Sequence, residues 1–92
     1  MRAWPILILL IATAGCATRT LVPTPPPAPR EEVQPPPPDP SWRWAPGHWE
    51  WTGRRYRWIA GQWLAPRDGE EWKPGHWEKR PRGWIWLPGH WG

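Results

Sequence analysis

A chain of 92 residues has room for one small domain at most, and its single cysteine excludes an intramolecular disulfide. The net charge of +4 is modest, and over residues 41–92 the nine basic and five acidic residues are interspersed, which is typical of a solvated surface. The composition divides the chain into three zones: an apolar start, a middle that holds ten of the 16 prolines, and an end that holds eleven of the 12 tryptophans.

Residues 1–15 have the pattern of a secretory signal. Arg2 supplies the positive charge, and the apolar stretch from Ala3 to Ala12 is about half as long as a membrane-spanning helix. The small residues that follow, together with Cys16, resemble the lipobox of bacterial lipoproteins. This resemblance implies cleavage before Cys16, acylation of that cysteine and stable membrane anchoring. Because Ala17 follows instead of Asp, it also implies the outer membrane, facing the periplasm. The alternative is an ordinary signal with a chance cysteine.

Residues 16–40 are predicted to form the lipidated N-terminus and a disordered, proline-rich linker. The runs Pro25–Pro27 and Pro35–Pro38 exclude a helix or a central strand and favour extended polyproline II. Roughly 24 such residues would reach on the order of 70 Å. We therefore expect a spacer that holds the C-terminal zone away from the membrane; the alternative is a ligand for a proline-binding domain.

Residues 41–92 form the predicted tryptophan-rich domain, in which one motif recurs four times with starts 14 residues apart. The motif is Trp-x-x-Gly-x-Trp, and its copies are Trp44–Trp49, Trp58–Trp63, Trp72–Trp77 and Trp86–Trp91. Proline precedes the glycine in three copies and alanine in the second. A Pro-Gly step suits the centre of a type II turn, in which glycine has positive φ. We therefore expect structural turns at Gly47, Gly61, Gly75 and Gly89.

These turns define a strand register. A two-residue turn at Pro46-Gly47 would pair Trp44 with Trp49, and a type II′ turn at Gly53-Arg54 would pair Trp51 with Tyr56. The predicted fold is all-β: an antiparallel meander of about eight short strands, as a curled sheet or small sandwich. One face would carry the motif tryptophans in a single row: Trp44, Trp49, Trp58, Trp63, Trp72, Trp77, Trp86 and Trp91. The other face would be charged, with Glu50 opposite both Arg43 and Arg57.

The four motifs resemble the WxxGxW, or YxWGxW, repeat of short bacterial lipoproteins. Tyr56 to Trp63 carries the tyrosine form almost whole, and the resemblance covers residues 42–91. The family has no established activity, so the resemblance implies a class of protein without implying a reaction.

The residue types argue against catalysis and metal binding. No Ser/His/Asp or paired-carboxylate arrangement is apparent, and Ser41 is the only serine. His48, His76 and His90 share one motif position, but the meander would place neighbouring copies roughly 10 Å apart, too far for shared zinc. We expect no cofactor and no metal. Alternating Trp and Arg suit single-stranded nucleic acid, but a periplasmic location argues against that partner.

The motif tryptophans allow two interpretations: a core in which the rings pack on one another, or a standing binding face. The leading hypothesis is a non-catalytic, lipid-anchored cell-envelope module that binds a surface such as a glycan through these eight residues, because indole faces stack on sugar rings. The alternative is a purely structural or self-associating envelope protein, in which the tryptophan rows meet those of another copy.

Overall fold

A computed structural model describes residues 20–92, and within this range the chain is all-β with eight short strands, as predicted. Residues 1–19, which include the predicted signal and Cys16, lie outside the described residues. The strands are β1 (Arg43–Ala45), β2 (His48–Trp51), β3 (Tyr56–Ile59), β4 (Gln62–Leu64), β5 (Trp72–Lys73), β6 (His76–Arg80), β7 (Gly83–Leu87) and β8 (His90–Trp91).

The strands pair as two long, interrupted hairpins. In the first, β2 pairs with β3 near the tip and β1 pairs with β4 near the base, both antiparallel and in one continuous register. In the second, β6 pairs with β7 and β5 with β8 in the same way, and Glu71 and Gly92 exchange backbone hydrogen bonds beyond the last pair. Residues 43–64 are called hairpin 1 below, and residues 71–92 hairpin 2.

The hairpin tips follow local turn chemistry. Gly53 has a φ of 100°, as the first central residue of the predicted type II′ turn requires, and Trp51 lies opposite Tyr56 as expected. The Thr52 hydroxyl accepts hydrogen bonds from the backbone N–H groups of Arg54, at 3.4 Å, and Arg55, at 3.3 Å. The side chain of Thr52, which follows β2, thus helps to stabilise the turn at the tip.

The Pro-Gly steps are not hairpin turns, and the predicted meander is wrong at these points. The strands on either side of each step do not pair with each other, and the positive-φ glycines of residues 20–92 do not include Gly47, Gly61, Gly75 or Gly89. Each step instead interrupts one arm of a hairpin. In three copies the proline has no N–H for the ladder, and in the second copy the arm breaks at the same place, at Ala60-Gly61. Trp44 therefore lies opposite Trp63, not Trp49, and Arg43 lies opposite Leu64, not Glu50.

Residues 20–40, called the strap below, lie against the hairpins, in contrast to the free spacer that their composition predicts. Val22 exchanges backbone hydrogen bonds of 2.8 and 2.7 Å with Trp84 of hairpin 2, and farther along, the strap contacts hairpin 1. An extended proline-rich segment has unpaired carbonyl groups, and half-buried tryptophan and tyrosine side chains need acceptors for their N–H and O–H groups. The carbonyl groups of the strap therefore accept hydrogen bonds from tryptophan and tyrosine side chains of hairpin 1.

The core is small. Among residues 20–92, the buried apolar side chains are Val22, Ala45 and Ile85, and Val22 is only 1% exposed. All eleven tryptophans of residues 41–92 are half-buried, neither enclosed nor fully exposed. The hairpins meet through aromatic contacts: the ring centroids of Tyr56 and Trp77 are 5.4 Å apart, and Trp77 Nε1 donates a 2.8 Å hydrogen bond to the carbonyl oxygen of Trp49.

Candidate binding surface of paired tryptophans

The eight motif tryptophans meet in four cross-strand pairs and not in one straight row. Each pair joins the first tryptophan of one motif to the second tryptophan of the motif opposite. The ring centroids are 5.2 Å apart in Trp44–Trp63, 5.1 Å in Trp49–Trp58, 5.5 Å in Trp72–Trp91 and 5.6 Å in Trp77–Trp86. The rings are edge-on or tilted, which is the geometry that their quadrupoles favour. The predicted Trp49–Trp58 and Trp77–Trp86 neighbours are thereby confirmed.

The motif glycines provide space for these rings. A Cβ atom on Gly47 would lie 2.5 Å from Cζ2 of Trp58, and one on Gly75 would lie 2.5 Å from Cζ2 of Trp86. The two remaining glycines are covered in the same way, Gly61 by Trp44 and Gly89 by Trp72. The first tryptophan of each motif therefore covers the glycine of its partner motif, and the cover is reciprocal within each hairpin.

In hairpin 1, the two motif glycines also bind a carboxylate. The backbone N–H groups of Gly47 and Gly61 donate 2.8 Å hydrogen bonds to Oε1 and Oε2 of Glu32. The bond from Gly61, followed by those from Gly47 and the Trp58 side chain, lowers the pKa of Glu32 below its ordinary value of 4.5. Glu32 is not predictable as a site residue from the sequence, because an acidic residue in a proline-rich segment has no spacing that relates it to glycines 15 and 29 residues away.

The strap uses the polar edges of the aromatic rings in hairpin 1. Trp49 Nε1 donates to the carbonyl oxygen of Ala28 at 3.0 Å, and Trp63 Nε1 donates to that of Pro35 at 2.9 Å. Nearer the tip, the Tyr56 hydroxyl donates to another strap carbonyl, and the Arg30 guanidinium lies 5.0 Å above the ring of Trp49. Burial raises the pKa of Tyr56 above its ordinary value of 10.0. Hairpin 1 therefore binds an extended peptide segment of its own chain.

A cleft of about 550 Å³ lies where the two hairpins meet. Its aromatic lining comes from both hairpins: Trp49, Trp51, Trp77 and Trp86. Polar groups accompany them, notably His48, Glu50 and Thr52. The imidazole of His48 stacks on the ring of Trp86 at 4.4 Å between centroids and 14° between planes. We call this site the aromatic cleft.

Charged side chains of the hairpins form three exposed ion pairs within residues 20–92, and one of them includes Glu50 of the aromatic cleft. The predicted Glu50–Arg57 pair is confirmed, with a 2.5 Å distance between Oε1 and Nη2. His76 and His90 are exposed, and no group of three or more His, Cys, Asp or Glu side chains within residues 20–92 is arranged to hold a metal ion. Over that same stretch, no helix is long and apolar enough to cross a membrane.

The fold and the paired motifs define a small all-β repeat module in which one hairpin is the structural unit. The family model of the WXXGXW repeat matches two parts of the chain, residues 40–63 and 72–91, so the chain carries two copies of this repeat. Each matched copy contains two Trp-x-x-Gly-x-Trp motifs and corresponds to one hairpin. No curated protein and no solved structure matches the chain.

Proposed function

We propose that this protein is a non-catalytic, lipid-anchored module of the bacterial cell envelope that binds a glycan in the aromatic cleft. The observation that carries the proposal is the lining of that cleft, where four half-buried tryptophans lie beside polar groups of His48, Glu50 and Thr52. Indole faces stack on the apolar faces of sugar rings, and carboxylate, imidazole and hydroxyl groups bond sugar hydroxyls.

The size of the aromatic cleft agrees with this ligand class. Its volume of about 550 Å³ lies within the range of roughly 300–1,000 Å³ that is usual for small-ligand sites. The cleft is formed by two hairpins that meet mainly through rings, with Thr20 and Val22 of the strap also in its lining. Its tryptophans therefore serve as packing and as contact surface at once. This agrees with their half-buried state.

Glycan binding is testable by titrating the full chain with soluble disaccharide and tetrasaccharide fragments of peptidoglycan while tryptophan fluorescence is recorded. Trp51→Ala removes a cleft wall and should weaken binding on the order of tenfold, as expected for one lost stacking contact. Trp91→Ala is the matched control, because Trp91 is a motif tryptophan that does not line the aromatic cleft. Equal effects of the two substitutions would contradict the proposal. Fluorescence that changes with protein concentration, and not with glycan, would favour the self-associating alternative.

The proposed anchor is Cys16, and the proposed location is the outer membrane, facing the periplasm. Support comes from the lipobox resemblance of the residues before Cys16 and from the absence of any other cysteine. Metabolic labelling with a fatty-acid analogue should tag the wild-type chain and leave Cys16→Ser untagged. If Cys16→Ser still takes the label and still partitions into membranes, the anchor is elsewhere.

A further inference from the structure

Hairpin 2 contains a counterpart of the Glu32 site. The two hairpins repeat with an offset of 28 residues, so Gly75 and Gly89 correspond to Gly47 and Gly61. The glycine surroundings agree as well, since each motif glycine lies under the first tryptophan of the partner motif. A Cβ atom on Gly75 would lie 2.7 Å from the backbone nitrogen of Gly89, so the two glycines approach each other closely.

The backbone N–H groups of Gly75 and Gly89 differ from those of Gly47 and Gly61 in their hydrogen-bond partners. Within residues 20–92, no hydrogen bond is donated by the backbone N–H of Gly75 or Gly89, whereas both equivalent groups in hairpin 1 donate to Glu32. Both glycines are partly exposed, and Gly75 borders a second cleft, of about 410 Å³, which residues 26–29 of the strap line together with both hairpins. Residues 1–19 contain no aspartate or glutamate, so the segment outside the described range cannot supply a side-chain carboxylate.

The side chains beside this second pair of glycines favour an anion. Lys73 and His90 lie opposite each other at the base of hairpin 2, where hairpin 1 has the uncharged residues Ala45 and Gln62. Lys73 and His90 are both exposed, and the Lys73 ammonium is 3.5 Å from Glu71. A carboxylate at the glycines would therefore gain the backbone donors, the attraction of the Lys73 ammonium, which Glu71 partly offsets, and the imidazole N–H of His90 as a further donor.

The strap indicates what kind of molecule carries this carboxylate. In hairpin 1, Glu32 is bound at the glycines while Trp63 Nε1 bonds the carbonyl oxygen of Pro35, three residues farther along the extended segment. The counterpart of Trp63 is Trp91, and its Nε1 donates no hydrogen bond to any residue from 20 to 92. Hairpin 2 thus offers the same two recognition points, spaced for a Glu-x-x-Pro sequence.

We propose that Gly75 and Gly89 form a second carboxylate-binding site, which takes the glutamate of an extended, proline-flanked segment of another polypeptide chain, with Lys73 and His90 strengthening the binding and Trp91 bonding the carbonyl three residues on. The site is separate from glycan binding in the aromatic cleft and stands whether or not a glycan binds there. Its mode of binding is recognition of an extended, polyproline-like peptide, with a charge-assisted anchor added.

The test uses the ¹⁵N-labelled full chain in detergent micelles and a synthetic peptide with the sequence from Ala28 to Pro37. Addition of the peptide should shift the amide proton signals of Gly75 and Gly89 downfield in a saturable way. The signals of Gly47 and Gly61 should stay in place, since their own carboxylate remains bound. A peptide in which the residue equivalent to Glu32 is glutamine should bind at least about tenfold more weakly, because it lacks the charge-assisted bonds.

A chain variant separates the contribution of charge. Lys73→Ala combined with His90→Gln gives hairpin 2 the flanking residues of hairpin 1, and both positions are exposed, so the fold should persist. We expect severalfold weaker peptide binding with unchanged dispersion of the other amide signals. Three results would overturn the proposal. The first is unchanged chemical shifts of Gly75 and Gly89 at millimolar peptide, and the second is equal affinity for the Glu and Gln peptides. The third is a shift of the Gly47 and Gly61 signals in place of those of Gly75 and Gly89. Undiminished binding by the double variant would overturn the assigned roles of Lys73 and His90.

Discussion

Substitution of Gly89 by alanine tests whether a motif glycine is required for space. A Cβ atom there would meet Cζ2 of Trp72 well inside van der Waals contact, and its next neighbours, Gly75 N and Lys73 O, would be 3.0 Å away. Because non-bonded carbons pack at about 3.5–4.0 Å, Trp72 would have to move and its 5.5 Å contact with Trp91 would be lost. Gly89 is not among the positive-φ glycines, so alanine should bring little backbone strain.

The expected cost is the sum of two effects. Overpacking costs about 1–3 kcal/mol, and a lost edge-to-face pair costs about 0.5–1.5 kcal/mol. A total of about 2–4 kcal/mol would lower the Tm of a domain this small by roughly 10–25 °C. Thermal and urea unfolding of Gly89→Ala, Trp72→Ala and the double variant measure this directly. Since Trp72→Ala removes the obstructing ring and already includes the loss of the pair, the double variant should be about 2–4 kcal/mol more stable than additivity predicts.

Gly53→Ala is the matched control. Gly53 has a φ of 100° and no heavy atom within 4 Å of an added Cβ, so alanine there should cost about 1–2 kcal/mol through backbone strain alone. Trp72→Ala should not relieve that cost. Gly89 is not required for space if Gly89→Ala leaves the Tm unchanged, or if Gly89→Ala and Trp72→Ala combine additively as the control pair does.

Three further outcomes are expected. Trp49→Ala and Trp58→Ala should couple by about 0.5–1.5 kcal/mol in a double-mutant cycle of unfolding free energies, because their rings are 5.1 Å apart; additivity would contradict the pairing. Since hydrogen bonds depress the pKa of Glu32, the stability that Glu32 contributes is complete above its ordinary pKa of 4.5 and is lost as the pH falls through the lower pKa of the folded state. Glu32→Gln should lack this loss of stability in acid when unfolding is measured against pH. Identical pH profiles of the wild type and the variant would show that the Glu32 carboxylate does not stabilise the fold. Arg57→Gln should destabilise by less than about 1 kcal/mol, and less still in high salt, because its ion pair with Glu50 is exposed; a larger loss would indicate that the pair is more than a surface contact.

The strands and the tip of hairpin 1 could be predicted from the sequence, because they depend on residues that are close together in the chain. Alternating aromatic residues indicated short strands, and the Gly53-Arg54 step identified a tip whose register follows directly, including the Glu50–Arg57 pair. The Pro-Gly steps were predicted as turns because the same two residues suit both structures for different reasons. In a type II turn the glycine supplies positive φ, whereas in a break of the β-ladder the proline lacks an N–H and Gly47 leaves room for the ring of Trp58. Which of the two forms depends on whether Trp44 pairs with a residue five positions away or with Trp63, 19 positions away.

The strap could not be placed from the sequence for a similar reason. Its prolines correctly indicate an extended backbone, but whether such a segment stands in solvent or lies on a surface depends on donors that only the folded hairpin assembles. Glu32 has two of those donors, from glycines in different arms of hairpin 1. Neither donor can be inferred from the position of Glu32 in the chain.

The reciprocal cover of glycine by tryptophan makes the number of motifs matter. A hairpin with one motif would contain a tryptophan with no glycine to cover and a glycine with no ring above it, so an odd count leaves one copy incomplete. Loss or gain of 28 residues, one whole hairpin, keeps every such contact, whereas a change of 14 residues breaks two of them. Chains built in this way should therefore grow and shrink in steps of two motifs, and length variants with three or five should fold less stably than those with two, four or six.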